Sequence, residues 1–232
     1  MESKKLVFDI ETAGKEFESL DVISQDFMLK YAESDEEEER VKEGTSFYPL
    51  TGEVVAIGVL NPDSGQGAVF VQSEDKNLPS ILEEGISLEK GSEKEILEKF
   101  WEVAKFYNVF ISFNGRRFDI PFLMIRSAIL GVKPSKNLLA NRYLSSQPQE
   151  AKHIDLFDQL SFYGASRKNF PLHMWTKAFG IKSPKEDGIS GNDITALYRE
   201  GKILEIAKYN LEDLKSTAEL YRFWEKYLNF NN

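Results

Sequence analysis

An α/β sandwich on a mixed sheet is the fold class that the 232-residue sequence predicts, and three observations point to it. Apolar runs of strand length alternate with stretches whose apolar residues recur every three or four positions, the periods of strand and helix. Two of the runs, GEVVAIGVL and GAVFVQ, are joined by Asn61-Pro62-Asp63-Ser64-Gly65, turn chemistry that makes them an antiparallel hairpin. A long helical pattern covers residues 202–227, a further layer against such a sheet.

In chain order, residues 5–12, KLVFDIET, form an apolar run interrupted by Asp9 and Glu11, a buried strand with something polar at its end, bounded by Gly14. Residues 16–47 hold eleven acids against three bases, net −8, which leaves the other 200 residues at −1 of the total −9. We expect residues 15–47 to be an acidic, partly mobile surface insertion, with a helix over 17–31 and a solvated run over 34–40. Ser92 and Glu95 form a capping box ahead of Ile96, Leu97, Phe100, Trp101, Ala104 and Tyr107, one apolar helix face. VFISFN over 109–114 reads as a strand, and 118–130 as a helix closed by Gly131. A short strand or sheet edge follows over 153–157, then a helix over 171–179 with Pro at its start and Gly180 past its end.

Hydrophobic residues at 41% and aromatics at 12% suffice for a substantial core, and no repeat or Pro-, Gly- or Ser-rich linker divides the chain, so one domain over 1–232 is expected. The absence of Cys excludes disulfides, thiolate metal sites and a Cys nucleophile, and two His are too few for a structural zinc site. A reducing, cytoplasmic setting fits, and no apolar run approaches the ~18 residues that span a bilayer. Ala196 stands where a phosphate-binding loop ending in Gly201-Lys202 needs its first Gly, and Ser190 is in no G-x-S-x-G elbow. Net charge alone argues against a nucleic-acid partner, but most of it lies in the insertion. The clusters Arg116-Arg117-Phe118, Arg142-Tyr143, Arg167-Lys168-Asn169-Phe170 and residues 177–179 offer charge and stacking to a single strand, or plain solvated faces.

Three sites carry chemistry. Asp9 and Glu11, two apart on a strand, point to one face, where they repel unless a cation sits between them; a hard divalent ion is the natural occupant. Asp119 lies at a strand-to-helix junction between FISFN and IPFLMI, as a helix cap or as a third carboxylate close to the first strand. Tyr209 and Asp213, four apart, share a face of a final helix that is apolar on both sides, so Asp213 is expected as a buried charge needing a counter-ion.

In order these motifs read F-D-I-E-T, N-x-x-x-F-D over 114–119 and Y-x-x-x-D over 209–213. The set resembles the DEDDy 3′-to-5′ exonucleases of the ribonuclease H-like superfamily, and most closely the stand-alone relatives of the proofreading exonuclease domain of family-B DNA polymerases. The resemblance runs from Phe8 to Asp213, with no obvious counterpart for the insertion. It implies a ribonuclease H-like three-layer sandwich, with Asp9, Glu11, Asp119 and Asp213 as metal-binding carboxylates and Tyr209 orienting the attacking water. Thr12, Asn114 and Phe118 would lie against the terminal nucleotide. Two Mg²⁺ or Mn²⁺ ions, about 3.5–4 Å apart, would serve an in-line displacement releasing nucleoside 5′-monophosphates. The substrate implied is single-stranded 3′ ends, DNA before RNA; an exoribonuclease and a catalytically silent nucleic-acid-binding relative are the alternatives. A sister subclass uses a His five residues before its last Asp, which only His153 and Asp158 match, since residue 208 is Lys.

Overall fold

The protein is described by a computed structural model over residues 3–166, 168–183 and 190–230. The sheet is mixed and seven-stranded: β1 (Lys5–Gly14), β2 (Gly52–Leu60), β3 (Gly67–Gln72), β4 (Ile81–Glu83), β5 (Ile86–Gly91), β6 (Val109–Ser112) and β7 (Lys152–Asp155). Its order is β4-β5-β3-β2-β1-β6-β7. β1, β2 and β3 are antiparallel neighbours, whereas β6 runs parallel to β1 and β7 parallel to β6. The hairpin, the first strand and the edge position of β7 agree with the sequence reading.

Alternation sorts the strands into two cores. Leu6, Phe8, Ile10, Ile57, Val59 and Phe70 pack on one face with α3 (Glu93–Ala104) and α4 (Asp119–Ile129). Val7, Leu60, Val69 and Val71 pack on the other with α8 (Ile203–Tyr227) and the short α5 (Leu156–Leu160) and α7 (Ile194–Arg199). Partly buried Leu172 and Trp175 of α6 (Leu172–Ala178) rest on that second core, completing the three layers. The Ser92 capping box opens α3 as expected, with Glu95 Oε2 accepting from the Ser92 N–H at 2.7 Å.

The helix expected over 17–31 is broken in two. A 3-10 turn covers Phe17–Ser19, and α1 (Val22–Leu29) starts afresh because Asp21 Oδ1 caps the Ser24 N–H at 3.1 Å. The solvated run over 34–40 forms the body of a helix, α2 (Asp35–Glu43), with none of its residues buried. Ser34 caps it, and four acids in its first turn sit at the positive end of the helix dipole with Arg40 and Lys42 in its last, so charge supports the helix where apolar pattern does not. Strands β4 and β5 were not anticipated, because only Ile86 and Leu88 of β5 face the core and two apolar positions make no readable period.

Candidate active site

The β1–β2 register sets the site. Asp9 stands opposite Gly58 and Glu11 opposite Ala56, on the face that packs against α8. These small partners let the helix come close: a Cβ on Gly58 would lie 2.1 Å from Asn210 Oδ1 and 2.5 Å from Leu214 Cδ1. α8 thereby turns Tyr209, Asn210 and Asp213 onto the two strand acids. Asp9, Glu11 and Asp213 each offer an oxygen within 4.8 Å of the others. Asp213, expected as a buried charge, lies in this cluster on the inner face of α8.

Asp119 is not in that tight triangle but stands beside it. The parallel pairing of β1 with β6 ends at Val7 opposite Ile111, and farther along β1 the Ile10 N–H donates to Asp119 Oδ1 at 3.1 Å. The junction that places Asp119 is tightly wound. Asn114 takes a φ of 63°, and a Cβ on Gly115 would strike Ser112 Oγ at 2.2 Å. Asp155, which the sequence reading passed over, holds this junction. Its carboxylate accepts from the N–H groups of Asn114 at 2.8 Å, Arg116 at 2.9 Å and Phe157 at 3.0 Å. Its signal was available: an acid ending an apolar strand just before a helix is a capping position.

Burial, then the fields of Asp119, Asp213 and Glu11, holds the Asp9 carboxyl well above the usual carboxylate range. Burial, followed by Asp213, does the same to Glu11. Asn210 opposes both shifts, and its amide donates to Asp9 Oδ2 at 2.9 Å. Asp119 is pushed up to about 7, again chiefly by burial, with backbone N–H donors pulling the other way. The Tyr209 phenol is raised by burial and by Asp213, within hydrogen-bonding reach, so it stays a neutral donor. An all-oxygen donor set of mutually repelling carboxylates, Asp9, Glu11 and Asp213 with Asp119 at their side, is what hard divalent ions take.

The residues matched to the terminal nucleotide are close to the acids along the chain, Thr12 after Glu11 and Asn114 and Phe118 ahead of Asp119. Thr12 is buried, its hydroxyl donating to Ser46 O at 2.8 Å. Asn114 and Phe118 are half-buried at the start of α4, with the Phe118 ring 5.5 Å from that of Phe122. His153 lies elsewhere, buried in the core with Nε2 2.8 Å from Ser112 Oγ, and Asp158 is paired with Arg142. The guanidinium of exposed Arg117 lies over the Phe157 ring and Lys168 over Phe170, while Arg167 falls outside the described residues.

Residues 53–230 match the sequence family described as "Predicted 3'-5' exonuclease related to the exonuclease domain of PolB". That span includes Asn114, Phe118, Asp119, Tyr209 and Asp213 and leaves out β1. DNA polymerase 1 of Saccharolobus solfataricus is 24% identical over 178 residues, 73% of this chain and 20% of that protein. The DNA polymerase of Desulfurococcus sp. strain Tok is 30% identical over 173 residues, 67% of this chain and 20% of that one. The family B DNA polymerase of the hyperthermophilic archaeon Pyrobaculum calidifontis superposes with a TM-score of 0.62 at 19% identity, over 97% of this chain and 25% of that chain. This chain therefore spans about one fifth of the length of the curated relatives it matches.

Proposed function

This chain belongs to the family of 3′-5′ exonucleases related to the exonuclease domain of PolB, and from that premise we propose that it trims single-stranded DNA from the 3′ end, releasing nucleoside 5′-monophosphates. The observation that carries the proposal is the convergence of Asp9, Glu11 and Asp213 beside Asp119, at the meeting of β1, α4 and α8. Asp9, Glu11, Asp119 and Asp213 would hold two divalent ions, Mg²⁺ or Mn²⁺. Ions there supply positive charge against the charge that develops on the scissile phosphate. The Tyr209 hydroxyl, a neutral donor between α8 and the acids, orients the attacking water. The water oxygen forms the new bond to phosphorus as the bond to the 3′ oxygen breaks, leaving a 3′-hydroxyl on the shortened strand. Thr12, Asn114 and Phe118 line the terminal nucleotide, with Phe118 offering a ring face for stacking. We also propose that the protein acts as one domain in the cytoplasm. Among the described residues no helix is long and apolar enough to cross a membrane.

The test is hydrolysis of 5′-labelled single-stranded DNA and RNA with Mg²⁺, Mn²⁺ or chelator. A ladder shortening from the 3′ end of DNA, abolished by chelator, is the expected result. Faster RNA cleavage makes the protein an exoribonuclease, and binding without cleavage makes it a silent relative.

A further inference from the structure

Asn210 is fully buried on α8, three residues before Asp213, and nothing in the motifs above singles it out. Its carboxamide nitrogen donates to Asp9 Oδ2 at 2.9 Å, beside Glu11, whose charged form it also favours. Its oxygen is buried with no partner. Burying an amide oxygen unpaired costs free energy, so this side chain is kept for its donors. The orientation is set by charge, because turning the amide over would aim its oxygen at the Asp9 carboxylate.

A second observation falls on the same group. Gly58, directly opposite Asp9, has a φ that any residue adopts, so its glycine is not needed for backbone conformation. What it leaves is space. A Cβ there would lie 2.1 Å from Asn210 Oδ1, well inside contact distance.

We propose that Asn210 is a positioning residue that holds the Asp9 carboxylate and fixes the direction in which it presents its free oxygen beside Glu11, with Gly58 as the gap that admits it. Two repelling carboxylates on one strand face tend to turn apart. A neutral donor on Asp9 holds that acid in place before a cation arrives, as hydrogen-bonded partners of metal ligands do. This inference rests on the proposed metal-binding role of the acids, and the experiment separates the two.

Mn²⁺ binding is measured by calorimetry for the wild type, Asn210→Ala, Gly58→Ala and the double variant, with circular dichroism and melting in chelator as controls of folding. Asn210→Ala is expected to weaken Mn²⁺ binding about 10- to 100-fold, the span found for loss of such partners. Its hydrolysis of single-stranded DNA should recover as Mn²⁺ is raised, showing a loss in metal affinity more than in limiting rate. Gly58→Ala should weaken binding similarly, and the double variant by little more than either single change, because both act through one side chain. A folded Asn210→Ala with wild-type Mn²⁺ affinity overturns the inference, and independent, multiplying losses overturn the pairing with Gly58. If Gly58→Ala does not fold, Asn210→Ala and Asn210→Ser decide alone. A wild type that binds no Mn²⁺ overturns the metal reading itself.

Discussion

The hydroxyl of Thr12 donates to the carbonyl of Ser46 at 2.8 Å, which ties the strand carrying Asp9 and Glu11 directly to the end of the acidic insertion. The net −8 of residues 16–47 is therefore anchored next to the candidate site. Replacing Glu36, Glu37, Glu38 and Glu39 of α2 with Gln should raise initial rates on single-stranded DNA at about 20 mM salt, and raise them less at about 200 mM, where screening is shorter-ranged. Equal rates at both salts mean that α2 points away from the substrate path. The variant should also melt slightly lower, since its acids support the helix N-terminus.

Metal should stabilise the fold. Asp9, Glu11 and Asp119 are all held above their ordinary pKa range by burial and then by neighbouring carboxylates, Asp213 among them in each case, strain that a bound cation relieves. Millimolar Mn²⁺ or Mg²⁺ should raise the melting temperature at pH 8 by several degrees, and chelator should reverse it. A melting curve indifferent to both argues against a cation site.

Asp119→Asn keeps an acceptor for the Ile10 N–H and removes a titration. In the folded metal-free protein the carboxyl titrates at about 7, against roughly 4 when unfolded. Between those values the native state holds a proton that the unfolded chain has released, so wild-type stability falls as pH rises through the window and is level above it. The buried His153, held down to about 3, contributes the opposite slope and cancels between the two proteins. In chelator the variant should match the wild type near pH 5 and exceed it at pH 8 by on the order of 1–3 kcal/mol, while losing hydrolysis. Lower stability at both pH values makes Asp119 a structural cap.

Tyr209→Phe removes a hydroxyl and leaves the acids in place. Turnover should fall roughly ten- to a thousand-fold, the span of a positioned catalytic group, with Mn²⁺ affinity unchanged. A rate equal to wild type removes Tyr209 from the reaction.

Beneath the site, Arg126 of α4 and Glu93 at the start of α3 form a buried pair at 2.6 Å, and Glu93 Oε1 also accepts from the Val54 N–H of β2 at 2.8 Å. Arg126→Met leaves that carboxylate buried without its cation and should cost about 3–5 kcal/mol in chemical denaturation. A loss below about 1 kcal/mol means that Glu93 finds water or protonates.

Much of this was legible in the sequence, and for identifiable reasons. β1, the hairpin, α3, α4 and α8 carry strong apolar periods, α3 with a capping box besides, and the acids stand where those periods are interrupted. What escaped was set by other physics. α2 is stabilised by charge at its ends, and β5 by pairing with β3, and neither effect leaves an apolar period. Asn210 escaped because it is defined by groups distant in sequence, Asp9 and Gly58; Asp155 offered a local capping signal ahead of Phe157, while its hold on the Asn114 to Arg116 backbone left none. The triangle formed without Asp119 is likewise a matter of spacing between elements, which no motif encodes.

The shift in β1–β2 register between Glu11 and Thr12 has a consequence for how the protein tolerates change in length. Up to Glu11 the strands pair one to one, Asp9 on Gly58 and Glu11 on Ala56; beyond it Thr12 meets Val54, and Val55 is the extra residue. A bulge of this kind takes up one residue of slippage locally. Residues gained or lost between Gly14 and Gly52 would therefore be absorbed on the far side of it, leaving the phase of the two acids untouched. The insertion can lengthen, shorten or be exchanged over generations while the chemistry beside it stays in step.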